Sequence, residues 1–422
     1  MKELGLIIDI NQSSTSSEGK VKKSVLDFYL PLFRVLKLYK NVNFSLSIPL
    51  STLELWDKCG HTELVSDIKD LYQNDRVEIV ITSPYGFSLP NVSKDVVERV
   101  VMLDEYGTGY YLGSRKGFEG ESSVMLRDSN GFLPYGMFLN ADMIRILEEY
   151  GYKWVALRDD DLIGSVGNVF EIEDTGVLGV NVIDSEEIFG NSVNNILDEN
   201  TLGVSSSEKA VVIKDFFNKI SSNGSFRDVF VRFGDFDYFE NKDLDYKDVV
   251  NTIELFLDEV LSQGYTIKSV GDIVKSKNRL ESYSIEQLDK SYHLFSSYKF
   301  NSEKLQDAFG FISNTMTDKM SLFTNNSIKD DFDTIRVWNS EDMKKVNDSN
   351  IQQYSSILVC FSKILSLLVY LDVYHTVGDN NVQYGYHDNT SQYLNYVREI
   401  LSYVSDDLLR EKVSNILHTS LN

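Results

Sequence analysis

Up to about residue 275, short apolar runs alternate with segments whose apolar residues recur at helical spacing. Runs rich in β-branched and aromatic residues predict buried strands at 4–10, 42–48, 76–81, 154–157, 178–183, 228–233 and 265–270. The helical spacing predicts helices at 22–39, 63–74, 92–103, 140–150, 205–222 and 246–263. Because the strand runs are apolar on both faces and alternate with helices, they predict a parallel α/β fold.

The stretch 131–161 is the best-defined unit of this pattern, and it predicts a loop, a helix, a tight turn and a strand. Asn140 is a good N-cap, and Gly151 stands where a helix ends in the left-handed conformation. The strand leads into Arg158 and then into Asp159, Asp160 and Asp161. These residues are predicted at the carboxyl end of a parallel strand, where such folds place their sites.

The pattern changes near residue 280, after which strand-like runs are replaced by helical segments at about 285–297, 302–323, 350–375, 391–403 and 405–419. We therefore expect two parts, a β/α part over 1–278 and an α-helical region over 279–422. The apolar run 357–374 is interrupted by Lys363 and Asp372, which favours a buried bundle helix over a membrane span.

Composition narrows the function further. The 422 residues carry a net charge of −23, which argues against a nucleic-acid binder or an anionic-membrane binder. The two cysteines, Cys59 and Cys360, have no zinc or redox spacing, and no signal-peptide pattern opens the chain. We therefore expect a cytoplasmic protein with reduced thiols.

Short motifs follow three of the predicted strands, and a fourth motif lies in the predicted loop that begins at residue 131. The first strand leads into Asp9, Asn11 and Gln12; the third leads into the sequence Thr-Ser-Pro-Tyr ending at Tyr85; and a Gly-Phe-Leu-Pro-Tyr-Gly segment ends at Gly136. The strand 228–233 leads into a Gly-Asp-Phe-Asp-Tyr-Phe segment over 234–239. Together these motifs resemble those of glycoside hydrolase family 57, whose members process α-glucans. The resemblance implies an incomplete (β/α)7-type barrel followed by an α-helical C-terminal region.

The resemblance also implies roles for residues. Asp235 falls on the family's general acid/base, and Gly136 stands where the family has its glutamate nucleophile, with Tyr135 before it. Asp9 and Asn11 stand at the two histidine places of the first motif, and Gly86-Phe87 replace a substrate-binding histidine. The expected binding residues are Asp9, Asn11, Gln12, Tyr85, Tyr135, Gly136, Asp159, Asp160, Asp237 and Phe239.

Retaining glycoside cleavage needs two carboxylates about 5–5.5 Å apart. Asp235 supplies one, and the other would have to be relocated; the candidates are Asp9, Asp159, Asp160, Asp237, Glu119 and Glu121. Two functions stay open. The chain is either a catalytically impaired relative that binds carbohydrate or a protein partner, or an active α-glucan hydrolase or glucanotransferase with a relocated nucleophile. The expected ligand is an α-glucan or another neutral oligosaccharide.

Metal-dependent hydrolysis is disfavoured because the chain lacks the side chains that would bind the metal. The related deacetylase chemistry needs an Asp with two His, whereas His61 is the only histidine before residue 293. A Ser-His-Asp triad fails for the same reason, and no glycine-rich phosphate loop is present. We therefore expect neither a metal nor another cofactor.

Overall fold

The computed structural model describes residues 2–12, 16–83, 130–137, 139–158, 168–184, 206–222, 228–234, 246–277 and 280–288. It also describes short stretches between 89 and 113, Leu162 and Glu411. The helices predicted after residue 288 lie outside the described residues, so the proposed helical region stays a prediction.

Ten strands are described, and each of the seven predicted apolar runs overlaps one of them. Their bounds are β1 Lys2–Asp9, β2 Phe44–Ser47, β3 Val77–Val80, β4 Gly131–Phe132, β5 Trp154–Arg158, β6 Val169–Ile172, β7 Leu178–Asp184, β8 Asp228–Phe233, β9 Tyr265–Lys268 and β10 Glu281–Tyr283. The strand β6 lies outside those runs, and it runs antiparallel to β7. The strands β4 and β10 were not predicted.

Seven of these strands form a nearly closed parallel barrel in the order β1, β2, β3, β4, β5, β7, β8 and back to β1. The β3–β4 seam is held by a single bridge between Ile81 and Phe132. There the Ile81 N–H donates to the Gly131 carbonyl at 3.1 Å, and the Leu133 N–H donates to the Ile81 carbonyl at 2.8 Å. The predicted (β/α)7-type incomplete barrel is therefore confirmed.

The other three strands extend the amino-terminal end of the barrel. The first half of β1 pairs with β9, while its second half pairs with β2. The first half of β7 pairs with β6, which in turn pairs with β10. Since β10 belongs to this sheet, the predicted boundary after residue 278 falls just before a strand that pairs with the barrel half of the chain; the boundary itself stays a prediction.

The described helices connect the strands. They are α1 Glu18–Ser24, α2 Leu30–Leu38, α3 Leu50–Lys58, α4 Thr62–Gln73, α5 Ala141–Glu149, α6 Ser206–Ser222, α7 Tyr246–Ser262 and α8 Val270–Lys275. A π-helical turn, Val25–Tyr29, joins α1 to α2 and places the Leu30 N–H on the Val25 carbonyl. Pro31 follows directly, and its ring and missing N–H disfavour a regular α-turn at this point. The helices α3 and α8 were not predicted.

Alternation along the strands separates two apolar layers. Leu4, Leu6 and Ile8 of β1 belong to the large cluster that the helices cover, whereas Ile7 belongs to a smaller cluster. Because successive strand residues face opposite sides, the smaller cluster is the barrel interior. Its strand members are Ile7, Val80, Trp154, Ala156, Val169, Val180, Val182 and Phe230. Gly131 belongs beside Trp154, since a Cβ there would lie 2.1 Å from the indole.

Candidate binding site at the barrel mouth

The interior face of the barrel becomes charged at the carboxyl ends of its strands. Strict alternation places Asp9, Arg158, Asp184 and Arg232 on the same face as the buried Ile7, Ala156, Val182 and Phe230. The strand register sets Asp184 beside Arg232 and Ile7 beside Arg232 on the other flank. Four charged side chains from β1, β5, β7 and β8 therefore meet at the end where α/β folds hold their sites.

The guanidinium of Arg232 bridges two carboxylates. Its Nε and Nη2 donate to Asp9 Oδ2 at 2.9 and 2.6 Å, and its Nη1 donates to Asp184 Oδ1 at 2.9 Å. The three side chains are only 12–14% exposed. Arg158 adds a longer ion pair, with its Nη1 at 3.9 Å from Asp184 Oδ2. Such charge-assisted bonds are short and strong, so they fix both carboxylates in place. We call these four residues the mouth network.

The chain leaving β8 passes close over this network. A Cβ on Gly234 would lie 2.8 Å from the Asp9 Cβ and 3.2 Å from Asp9 Oδ2. Only glycine therefore fits at 234 without displacing Asp9. The segment that carries Asp235, Asp237 and Phe239 begins at this point, and those three residues lie outside the described residues, as do Tyr85, Asp159, Asp160, Glu119 and Glu121.

Gln12 was expected to bind substrate, and its carboxamide is bonded within the protein. Trp56 Nε1 donates to Gln12 Oε1 at 2.7 Å, and Gln12 Nε2 donates to Ser24 Oγ at 2.8 Å. The Gln12 N–H also donates to Thr52 Oγ1 at 3.0 Å, and the residue is 1% exposed. This arrangement fastens the segment after β1 to α1 and α3, and the binding role of Gln12 stays a prediction. Asn11, beside it, is half-buried.

Tyr135 and Gly136 lie in a 3₁₀ turn, Tyr135–Met137, shortly after β4. The Met137 N–H donates to the Pro134 carbonyl at 2.9 Å, and Tyr135 is half-buried. Met137 has a φ of 63°, a left-handed conformation that costs a residue with a side chain about 1–3 kcal/mol. The turn that holds the expected nucleophile position is therefore strained, and nothing in the sequence pattern indicated it.

Two neighbouring buried carboxyl groups, Asp104 and Glu105, were also not predicted. Asp104 Oδ1 accepts the Leu50 N–H at 3.0 Å, and its Oδ2 accepts the Thr82 N–H at 3.3 Å. Burial outweighs these bonds and raises the pKa of Asp104 to about 8. Glu105 accepts the Tyr152 hydroxyl at 2.8 Å, and burial, followed by the nearby Glu105, raises the pKa of Tyr152 well above its usual value.

Ser47 completes the polar side chains around Asp9. It stands beside Asp9 in the β1–β2 register and faces the interior, as Ser45 does two residues earlier. Its hydroxyl is fully buried, and it has no hydrogen-bond partner in the part of the chain that the structure describes.

Within the described ranges, no group of three His, Cys, Asp or Glu side chains is placed to hold a metal ion. In the same ranges, no helix has the length and apolarity to cross a bilayer.

The sequence matches no protein-family model, and it matches no curated protein. Its fold is similar to solved structures at low identity. A GH57-type branching enzyme from Pyrococcus horikoshii has a TM-score of 0.67 at 10% identity, covering 99% of this chain and 95% of that one. The α-amylase AmyC from Thermotoga maritima has a TM-score of 0.63 at 9% identity, with coverages of 99% and 96%. A GH57 branching enzyme from Thermococcus kodakaraensis has a TM-score of 0.62 at 9% identity, covering 98% of this chain and 94% of that one. The chain therefore has the fold of the solved glycoside hydrolase family 57 enzymes, which confirms the expected resemblance at the level of fold.

Proposed function

We propose that this chain is a GH57-like protein of α-glucan metabolism that binds a neutral oligosaccharide at the barrel mouth and does not cleave it. The observation that carries the proposal is Gly136, which puts no carboxylate in the strained turn after β4. The solved structures of similar fold are branching enzymes and an α-amylase, which supports an α-glucan as the ligand.

The mouth network supports the loss of cleavage. A nucleophilic carboxylate must attack with an available lone pair, and it needs an acid/base partner about 5–5.5 Å away. Asp9 and Asp184 both accept charge-assisted hydrogen bonds from Arg232, which stabilise the carboxylates and make them poorer nucleophiles. A single acid/base such as Asp235 cannot supply the two-step chemistry.

The same end of the barrel suits binding of a sugar. Tyr135 contributes a half-buried aromatic side chain near the mouth, and aromatic faces pack well against sugar rings. The mouth network contributes polar groups whose formal charges cancel, two carboxylates against two guanidinium groups. An uncharged, hydroxyl-rich ligand therefore meets hydrogen-bonding groups without a net electrostatic penalty. A protein partner and a cytoplasmic location remain parts of the proposal.

Calorimetry with maltoheptaose, combined with a reducing-end assay on the same protein, tests both halves. We expect binding in the micromolar to millimolar range typical of weak sugar sites and no new reducing ends on prolonged incubation. Absence of binding to any neutral oligosaccharide would overturn the binding half.

The active-enzyme alternative has its own signature. Hydrolysis by the wild-type chain that is lost in Asp9→Asn and in Asp235→Asn would establish a relocated nucleophile and overturn the proposal. Asp142→Asn is the matched control, because this carboxylate lies on α5 with its side chain 82% exposed.

A further inference from the structure

We propose that Arg232 is the specificity-determining residue of the mouth, because it restricts the site to uncharged ligands. The inference deepens the proposed function and rests on it. It concerns a side chain that contacts carboxylates from the strands on both of its flanks.

Arg232 lies on β8 between β7 and β1, and its guanidinium spans from Asp184 on one neighbour to Asp9 on the other. All three side chains are at least four-fifths removed from water. The two carboxylates therefore share one internal cation, which occupies the space between them.

Charge balance follows from that position. With Arg232 in place, the mouth network holds two negative and two positive groups, and a further ion gains little from entering. Without Arg232, Asp9 would lose the donors to its Oδ2, and Asp184 would lose the 2.9 Å hydrogen bond to its Oδ1. Carboxylates left together in a site of low polarity attract cations strongly, since water screens them poorly. The guanidinium thus excludes divalent cations and ammonium groups from the space between Asp9 and Asp184.

Ser47 indicates what the site takes instead. Its buried hydroxyl lies beside Asp9 and has no hydrogen-bond partner in the described residues. Buried polar groups are normally bonded, and a water molecule or a ligand hydroxyl satisfies a serine without bringing a charge. The polar groups around Asp9 therefore match a hydroxylated, neutral ligand.

The experiment compares wild type with Arg232→Gln, and it uses maltohexaose and Mn²⁺ as separate calorimetric probes. Wild type should bind maltohexaose with a Kd that is unchanged between roughly 20 and 300 mM NaCl, and should not bind Mn²⁺ at the mouth. Arg232→Gln should lose about tenfold in maltohexaose affinity and gain at least about tenfold in Mn²⁺ affinity. In Asp9→Asn/Arg232→Gln, which removes one of the two negative charges, the gained Mn²⁺ binding should disappear.

Two further variants keep the result specific. Arg145→Gln removes an exposed arginine that pairs with Asp142 on α5, and it should change neither probe. Arg232→Lys loses the planar fork but keeps the positive charge, and because of that charge it should not bind Mn²⁺. If circular dichroism shows that Arg232→Gln is unfolded, the Arg232→Lys result decides the test.

The outcomes separate the two proposals. Failure of wild type to bind maltohexaose or any other neutral oligosaccharide sinks the proposed function, whatever Mn²⁺ does. Sugar binding by wild type without any Mn²⁺ gain in folded Arg232→Gln sinks the role of Arg232 and leaves the proposed function standing. Mn²⁺ binding by Arg232→Lys, or by wild type with the affinity of Arg232→Gln, overturns the inference directly.

Discussion

At the scale of single residues, Arg232 and Asp104 show two ways in which the fold buries an ionisable side chain. Arg232 is compensated by two carboxylates of opposite sign, whereas Asp104 is compensated only by two backbone N–H groups. Two neutral donors do not repay the loss of hydration, so burial raises the pKa of Asp104 from 3.8 to about 8. Protonation of Asp104 therefore links the stability of this chain to pH.

The sign of that link follows from the direction of the shift. Because the pKa of Asp104 is higher in the folded state than in the unfolded state, the folded state binds the proton more tightly. The stability that Asp104 contributes is therefore complete below about pH 4, and it is lost as the pH rises through about 8. Within that window the free energy of unfolding should fall by about 1.4 kcal/mol per pH unit from this group. In Asp104→Asn that component of the slope should be absent, as measured by urea unfolding from pH 5 to 9.

Asp104→Asn also replaces an acceptor by an amide N–H₂, so we expect it to be less stable than wild type at pH 5 by about 1–3 kcal/mol. The informative quantity is the pH dependence of the free energy of unfolding, and not the constant loss of stability in the variant. Asp142→Asn, on the exposed face of α5, should reproduce the wild-type slope. An Asp104→Asn slope equal to that of wild type would show that Asp104 stays ionised in the fold.

At the scale of elements, the seam between β4 and β5 depends on one close approach. Only two residues of β4 pair with β5, and Gly131 lies under the Trp154 indole. The Trp154 ring occupies the part of the barrel interior that a side chain at position 131 of β4 would otherwise fill. Because the β3–β4 seam has a single bridge, this packing stabilises the weakest closure of the described barrel.

Gly131→Ala tests that packing. The added Cβ would lie 2.1 Å from the Trp154 ring, and overpacking of this kind costs about 1–3 kcal/mol. We expect a lowered midpoint in chemical unfolding and a changed near-ultraviolet circular dichroism signal from tryptophan.

Gly19→Ala is the matched control for this change. Nothing lies within 4 Å of a Cβ at 19, which is an exposed position of α1, and alanine should stabilise the helix by about 0.5–1 kcal/mol. Equal effects of the two substitutions would contradict the packing of Gly131 against Trp154.

At the scale of the whole molecule, β10 ties residues beyond 278 to the barrel sheet. Tyr283 on β10 is 4% exposed, and its ring centroid lies 5.4 Å from that of Phe170 on β6. Leu288, a little further on, is also buried. The barrel and the start of the following segment therefore share one core.

Tyr283→Ala should consequently destabilise the barrel itself, by about 3 kcal/mol, because it removes a buried aromatic ring. Unfolding is followed by the fluorescence of Trp56 and Trp154 in a Trp338→Phe background, so that both reporters lie in the barrel. Tyr111→Ala, at a half-buried position, is a milder aromatic control. An unchanged barrel transition in Tyr283→Ala would place β10 outside the cooperative unit and support a boundary at 278.

Several parts of the site were accessible to sequence reasoning. Asp9 at the end of β1 was expected at the mouth and lies there, because a buried strand must end in a polar residue at that edge. Arg158 was placed at the mouth by the same argument. The partner of Asp9 was not identified, because Arg232 lies inside an apolar run 223 residues away and resembles an ordinary strand residue. No local pattern connects two such positions.

The sequence by itself determined the order of the seven predicted strands and the parallel α/β class, because apolar periodicity and helix caps act over a few residues; the barrel followed from the resemblance of the short motifs to family 57. Tertiary structure alone decided α3, whose first N–H bonds to Asp104, 54 residues away, because Pro49 offers no side-chain cap. It also decided the short strands β4 and β10, which exist only through their neighbours. The pairing of Arg232 with Asp9 and Asp184 belongs to this second class. Charge compensation depends on distance in space, and the fold sets that distance.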